Sequence, residues 1–261
     1  MPSTPVLAGS ASPDGDVGVE IADAVGTVRF AHPKGNSLPG SLLRRIADSI
    51  AELGRDDAVR VIVVRSEGSG PFCAGASFDE LTAIADARQG ETFFSGFASV
   101  ILAMIRAPKL VVVRVQGRTA GGGVGIAAAG DYTLANANAS AKLSELAVGI
   151  GPFVVGPVIE HRIGRGPYAA MAVDADWRDS AWCERHGLYA RVLDNEIALD
   201  EALSALTATL ARSNPAAMAG LKRVFWEGTE RWEALLAERA RKSGELVLSG
   251  HTRAAIAAFK K

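Results

Sequence analysis

Twice in this chain a run of β-branched residues leads into a loop of small residues and then into a helix-forming stretch. Val59–Arg65 (VRVIVVR) runs into Ser66–Ser77, which ends Phe72-Cys73-Ala74-Gly75-Ala76-Ser77. Leu110–Val115 runs through Gln116-Gly117 into Thr119-Ala120-Gly121-Gly122-Gly123 and a helix of small residues ending near Gly130. Short apolar runs bounded by charge or glycine read as strands buried on both faces. Strands separated by helical stretches pair in parallel, because a parallel neighbour needs a crossover connection. These two junctions make the chain α/β.

The remaining pattern extends that reading. Val17–Ile21 and Thr27–Phe30, separated by Asp23 and Gly26, predict a hairpin. His32-Pro33-Lys34-Gly35-Asn36-Ser37 is a loop by composition. After Pro39, Leu42, Leu43, Ile46, Ile50 and Leu53 keep helical spacing. Helices are expected over Phe78–Ala85 and Gly90–Arg106, and short strands over Tyr132–Ala135 and Ala141–Leu143. Beyond about Gly156 the pattern is almost wholly helical as far as Lys260. Those helices either cover the sheet or build an oligomer interface. The expectation is a lead-in of Ser, Pro, Ala, Gly and Asp over 1–16, a single α/β core over 17–195 and a helical C-terminal region over 196–261. The lead-in lacks the basic and apolar regions of a signal peptide.

A formal net charge of −1 argues against nucleic acid or an anionic membrane as partner. No stretch reaches the ~20 apolar residues of a membrane helix. The two cysteines, Cys73 and Cys183, fit a reduced, cytoplasmic protein better than a disulfide framework, and no Cys/His spacing suggests a metal site.

The chemistry belongs to the two junctions. A helix that starts directly after a small-residue loop presents unpaired N–H groups, with the helix dipole behind them, to a negatively charged atom. Neither loop is a dinucleotide fingerprint or a P-loop, since Gly-x-Gly-x-x-Gly and Gly-Lys-Ser/Thr are both missing. One such loop could be a tight turn and no more. Two in order, each behind an apolar strand, point to paired backbone donors.

Here the sequence resembles a known family. Gly70-Pro71-Phe72-Cys73-Ala74-Gly75-Ala76 and Val115-Gln116-Gly117-Arg118-Thr119-Ala120-Gly121-Gly122-Gly123, with Asp131 beyond the helix, look like the two oxyanion segments of the enoyl-CoA hydratase/isomerase (crotonase) superfamily. Ser144-Glu145 through Val148-Gly149-Ile150-Gly151-Pro152 resembles its Pro-Glu…Leu-Gly-Ile-x-Pro stretch, and Pro33–Leu38 its Pro…Asn-Ala-Leu element. The resemblance implies a core sheet of ββα repeats, helical C-terminal trimer contacts, and a homotrimer or homohexamer. It implies an acyl-CoA substrate whose thioester carbonyl sits between the backbone N–H groups of Ala76 and Gly122. No separate cofactor is implied, because coenzyme A arrives on the substrate. Lys34, Cys73, Ala74, Gly75, Ser77, Gly121 and Phe153 are the expected substrate contacts.

Family hydratases use two glutamates. Glu145 stands at the second position, and Gly125 stands at the first. Hydration needs a water held and activated between two carboxylates. Moving a double bond from C3–C4 to C2–C3 needs one carboxylate that takes a proton from C2 and returns it at C4. The chain therefore leans to isomerisation, with hydration, other enolate chemistry or a non-catalytic acyl-CoA-binding paralogue as alternatives. Ile150, Phe153, Val154 and Val155 are expected to give Glu145 the apolar surroundings that raise a carboxyl pKa.

Other residues carry weaker expectations. Arg114, inside an apolar strand, is either paired, at a sheet edge, or set against an acidic acyl group. Asp79 and Glu80 read as helix-capping carboxylates after Ser77. His161 and Arg162 read as a solvated helix face. Trp177, Trp182 and Tyr189 suit core or trimer packing. Lys34, with Lys222, Lys260 and Lys261, could meet the phosphates of coenzyme A.

Overall fold

The computed structural model describes residues 12–259. Residues 1–11, most of the expected lead-in, lie outside the described residues, as do Lys260 and Lys261. Strands β1 (Asp16–Ala22) and β2 (Val25–Ala31) pair antiparallel around Asp23 and Ala24. Both turn residues have positive φ, 50° and 63°, the twist of a tight two-residue hairpin. Helix α1 (Gly40–Arg55) leads to β3 (Val61–Ser66), α2 (Phe78–Ala83) and α3 (Ala87–Arg106). Then come β4 (Leu110–Val115), β5 (Arg118–Ala120), α4 (Gly122–Ala129), β6 (Tyr132–Asn136) and β7 (Ser140–Lys142).

After β7 follow α5 (Gly156–Ile163), α6 (Arg165–Asp174), β8 (Arg178–Asp179), α7 (Ser180–Arg185) and β9 (Arg191–Leu193). Four helices finish the described chain: α8 (Glu196–Ala211), α9 (Pro215–Phe225), α10 (Trp232–Leu246) and α11 (Gly250–Phe259). The main sheet has the order β1-β2-β3-β4-β6-β9, parallel from β2 onward. A smaller sheet holds β5, β7 and β8. The two strands β8 and β9 depart from the all-helical expectation beyond Gly156. At two and three residues they are too short for a period to show, and they exist through their pairing partners.

Alternation along the strands explains the layers. Ile62, Val64, Val111 and Val113 point into one core with Leu43, Ile46 and Ile50 of α1 and Ile101 and Met104 of α3. Val61, Val63 and Val112 point the other way, onto Leu199 and Leu203 of α8. Both faces are buried, which is why these strands read as continuous apolar runs. Each fully buried side chain of this size contributes roughly 1.5–3 kcal/mol. Helix α8 therefore covers the sheet.

Arg114 lies on this α8 face and is buried. Its guanidinium donates to both carboxylate oxygens of Asp200, at 2.5 and 3.0 Å, and to Gln116 Oε1 at 3.3 Å, with Glu196 at 3.7 Å. Of the readings open from sequence, pairing holds.

Helix α10 runs along α3. A Cβ placed on Gly90 would fall 2.6 Å from Gly244 Cα, so the two backbones touch there. Ile150, Val247 and Ile256 form a small separate core, against which Phe78, Leu81 and Ile84 pack.

Candidate active site

Both glycine-rich loops arrive at one cavity because they are hydrogen-bonded to each other. Cys73 N–H donates to the Arg118 carbonyl (3.3 Å), and Ala120 N–H donates to the Cys73 carbonyl (2.8 Å). A strap from the N-terminal region holds the first loop from the other side. Leu38 N–H donates to the Gly75 carbonyl (2.8 Å), and Ser77 N–H donates to the Leu38 carbonyl (3.1 Å). The Asn36 amide donates to the carbonyls of Pro71 (2.9 Å) and Glu67 (3.2 Å) while its oxygen accepts from His32 N–H (2.9 Å). Among the described residues, the N–H groups of Ala76 and Gly122 have no acceptor. Both residues line the cavity.

The glycines of the second loop answer to three different neighbours. Gly121 has φ 51° and ψ −118°, and a Cβ there would lie 3.1 Å from Glu145 Oε1. A Cβ on Gly122 would enter the Phe97 ring, with its nearest carbons at 2.3 Å. A Cβ on Gly123 would meet Cys73 Cβ at 2.7 Å. The carboxylate, the open amide and an aromatic wall thus converge on two successive residues, Gly121 and Gly122.

The cavity has a volume of about 240 Å³. Five of the chain's nine phenylalanines line it: Phe78, Phe93, Phe94, Phe97 and Phe153. Such walls exclude water, and Glu145 is the only ionisable side chain among the described residues that lines them. Its carbonyl accepts from Val148 N–H (3.2 Å) and Ile150 N–H (3.0 Å), which fixes the turn that carries it. The residue as a whole is half-buried, yet Oε2 is sealed from solvent and has no partner among the described residues. Burial pushes its carboxyl pKa up to about 7, against smaller lowering by backbone donors at Glu145 and Ser144. Paired open amides beside one carboxylate of this kind can hold an oxyanion and take a proton from the adjoining carbon.

Gly125 faces a filled space. A Cβ there would fall 2.7 Å from Val155 Cγ1, 2.9 Å from Val155 Cβ and 3.2 Å from Ile101 Cδ1. No carboxylate could project from this position without moving Val155.

The cavity wall includes Ala74, Gly75, Ala76, Gly121, Gly122, Glu145 and Phe153 of the residues anticipated from sequence. Cys73, Ser77 and Lys34 are placed elsewhere. Cys73 is fully buried against Gly123, and burial pushes its thiol up to about 12. The Ser77 hydroxyl accepts from Glu80 N–H (3.3 Å) and caps α2. Lys34 is exposed and ion-paired with Asp79. Glu80 also caps, but across elements, since its Oε2 accepts from Gly40 N–H of α1 (2.8 Å).

Two further expectations are corrected. Lys222 is buried and therefore not free for a coenzyme phosphate: it donates to Asp131 (2.7 Å) and to the Met104 carbonyl (2.7 Å). Arg162 is not on a solvated face but donates to the carbonyls of Ala128 and Gly130, closing the C-terminal end of α4. Sequence reasoning anticipated Val155 but missed Asn36, Phe93, Phe94, Phe97 and Ser243. Asn36 lay in plain sight within the Pro33–Leu38 element, whereas the other missed residues are brought to the cavity by packing between distant helices.

Comparison with known proteins gives the family and the fold. The sequence pattern of the Enoyl-CoA hydratase/isomerase family matches residues 20–259. The chain belongs to that family. A Rhizobium meliloti (strain 1021) protein described as a probable enoyl-CoA hydratase is 28% identical over 206 residues, 77% of each chain. The mitochondrial methylglutaconyl-CoA hydratase of Homo sapiens is 32% identical over 117 residues, 45% of this chain and 34% of that protein. The crystal structure of enoyl-CoA hydratase from Bacillus halodurans has the same fold, with a TM-score of 0.85 at 18% identity over 93% of this chain and 99% of the other. As a member of the enoyl-CoA hydratase/isomerase family, the protein acts on an acyl-CoA thioester. Among the described residues, no helix is long and apolar enough to cross a membrane.

Proposed function

We propose that the protein moves the double bond of an enoyl-CoA from C3–C4 to C2–C3, with Glu145 as the single proton carrier. The observation that carries this reading is Gly125, whose side of the cavity is filled by Val155 and Ile101. With no second carboxylate there, no water is held between two acids, and the hydration route lacks its nucleophile activator. In the isomerase route the Glu145 carboxylate removes a proton from C2. The negative charge moves onto the thioester oxygen, where the Ala76 and Gly122 amides stabilise the dienolate. Glu145 then returns the proton at C4. Losing one such donor typically costs about 3 kcal/mol of barrier. The reaction needs no group beyond the coenzyme A carried on the substrate.

The test compares substrates. Purified protein is expected to convert 3-hexenoyl-CoA to the 2-enoyl isomer, followed by thioester absorbance, and to leave crotonyl-CoA unhydrated. Rapid hydration of crotonyl-CoA would overturn the single-carboxylate reading.

A pH dependence follows from the same group. Glu145 must be unprotonated to act as base, and its pKa is raised to about 7. The kcat/KM for a 3-enoyl-CoA should therefore rise tenfold per pH unit below about 7 and level off above it. A profile already flat at pH 5.5 would exclude Glu145 as the base.

A further inference from the structure

Helix α10 brings a hydroxyl to the cavity that the mechanism leaves unused. Ser243 lines the cavity and is 1% exposed. Elsewhere in the helices, Ser99, Thr207 and Thr209 satisfy their hydroxyls on the carbonyl four residues back, at 2.9–3.0 Å. Ser243 makes no such bond, and its Oγ is not among the sealed side-chain atoms left without a partner, so the hydroxyl opens onto the cavity it lines. A hydroxyl open to an apolar cavity can answer an oxygen or nitrogen brought there by a ligand. The close approach of Gly244 to Gly90 seats this turn of α10 directly against α3, beside the cavity's phenylalanines.

Around Ser243 the wall is hydrocarbon. The other side-chain oxygens lining the cavity belong to Ser144 and Glu145, next to one another in the catalytic turn. The cavity of about 240 Å³ exceeds the ~150 Å³ that encloses a benzene ring, so an acyl body of roughly six to eight carbons fits. No Lys, Arg or His among the described residues lines it, so nothing there would neutralise a second carboxylate on the acyl group.

We propose that Ser243 is a specificity-determining residue, whose hydroxyl donates to a keto or hydroxyl oxygen carried beyond C4 on an otherwise apolar acyl group. The proposal rests on the acyl-CoA reading of this cavity. The substrate would then be an uncharged, oxygenated acyl-CoA rather than a plain hydrocarbon one.

Binding by titration calorimetry separates the possibilities without requiring turnover. The ligands are saturated hexanoyl- and octanoyl-CoA and the same chains with a keto group at C5, C6 or C7. At one keto position the protein should bind about tenfold tighter than it binds the parent chain, the worth of one well-made hydrogen bond. Ser243→Ala should remove that preference and leave the parent Kd unchanged. Equal binding of every keto and parent chain would overturn the proposal, as would a preference that survives Ser243→Ala. Equal weakening of parent and keto chains by the variant would also overturn it, since that marks a packing role. If the keto preference is present but 3-enoyl-CoAs are not isomerised, the isomerase reading fails while this one stands. Failure to bind any acyl-CoA would sink both.

Discussion

Glu145→Gln is expected to lower kcat on a 3-enoyl-CoA by roughly 10²–10⁴-fold while changing substrate affinity little, as removal of a general base does. The amide keeps the shape of the carboxylate against Gly121, so the Ala76 and Gly122 amides keep their positions. The same variant carries a second, independent readout in stability. The carboxyl pKa is near 4.5 when exposed and about 7 in the folded protein, so the native state binds this proton more tightly. Stability contributed by the group is therefore present below pH 4.5 and falls as pH rises toward 7, by an order-of-magnitude total of about 3 kcal/mol. Relative to the parent, the Gln variant should gain thermal stability steadily between pH 4.5 and pH 7.5, and no further above. A variant retaining full turnover, or one whose stability gap is constant with pH, would place the base elsewhere.

Asp131→Ala should be the most destabilising single change outside the hydrophobic core. Its two oxygens accept from Lys222 Nζ, Val111 N–H and Trp226 Nε1, each at 2.7 Å, and the ion pair is almost fully buried. Removing the carboxylate strands a buried ammonium, a backbone N–H and an indole N–H together. Breaking a buried pair in this way costs about 3–5 kcal/mol. At roughly 2–4 °C per kcal/mol for a domain of this size, the melting temperature should fall by about 10 °C. Adding Lys222→Met should recover part of the loss, because the stranded charge goes with it. A single-variant loss below about 1 kcal/mol, measured by denaturant unfolding, would show that water replaces the carboxylate.

Asp131 also shows how far the sequence reaches. Its place after the small-residue helix can be read from the chain, but its partner Lys222 lies far along the sequence, where it reads as a candidate for the coenzyme A phosphates. A lysine on an amphipathic helix carries no local sign of burial, and only the docking of α9 beneath β4 decides it. Arg114 is the complementary case. A charge inside an apolar strand announces a partner, and Asp200 and Glu196 on α8 supply it. Cys73 and Ser77 belong to a cavity-forming loop, yet only Ala74, Gly75 and Ala76 between them line the cavity, while Cys73 packs against Gly123 and Ser77 caps α2. Sequence alone could not assign which ones reach the cavity.

The strand-to-glycine-loop junctions and their order are determined by the sequence itself, because β-branched runs, small residues and helix starts are local properties. From them follow the α/β class and the paired backbone donors, whereas Glu145 as the single carboxylate is what the resemblance to the family's motifs implies. The tertiary structure alone decided that the loops are bonded to each other through Cys73, that Phe97 closes over Gly122, and that Val155 fills the space beside Gly125. It also decided that α10 delivers Ser243 to the cavity. Each of these is a contact between segments whose periodicity is satisfied by several packings, and close packing of the whole core selects one.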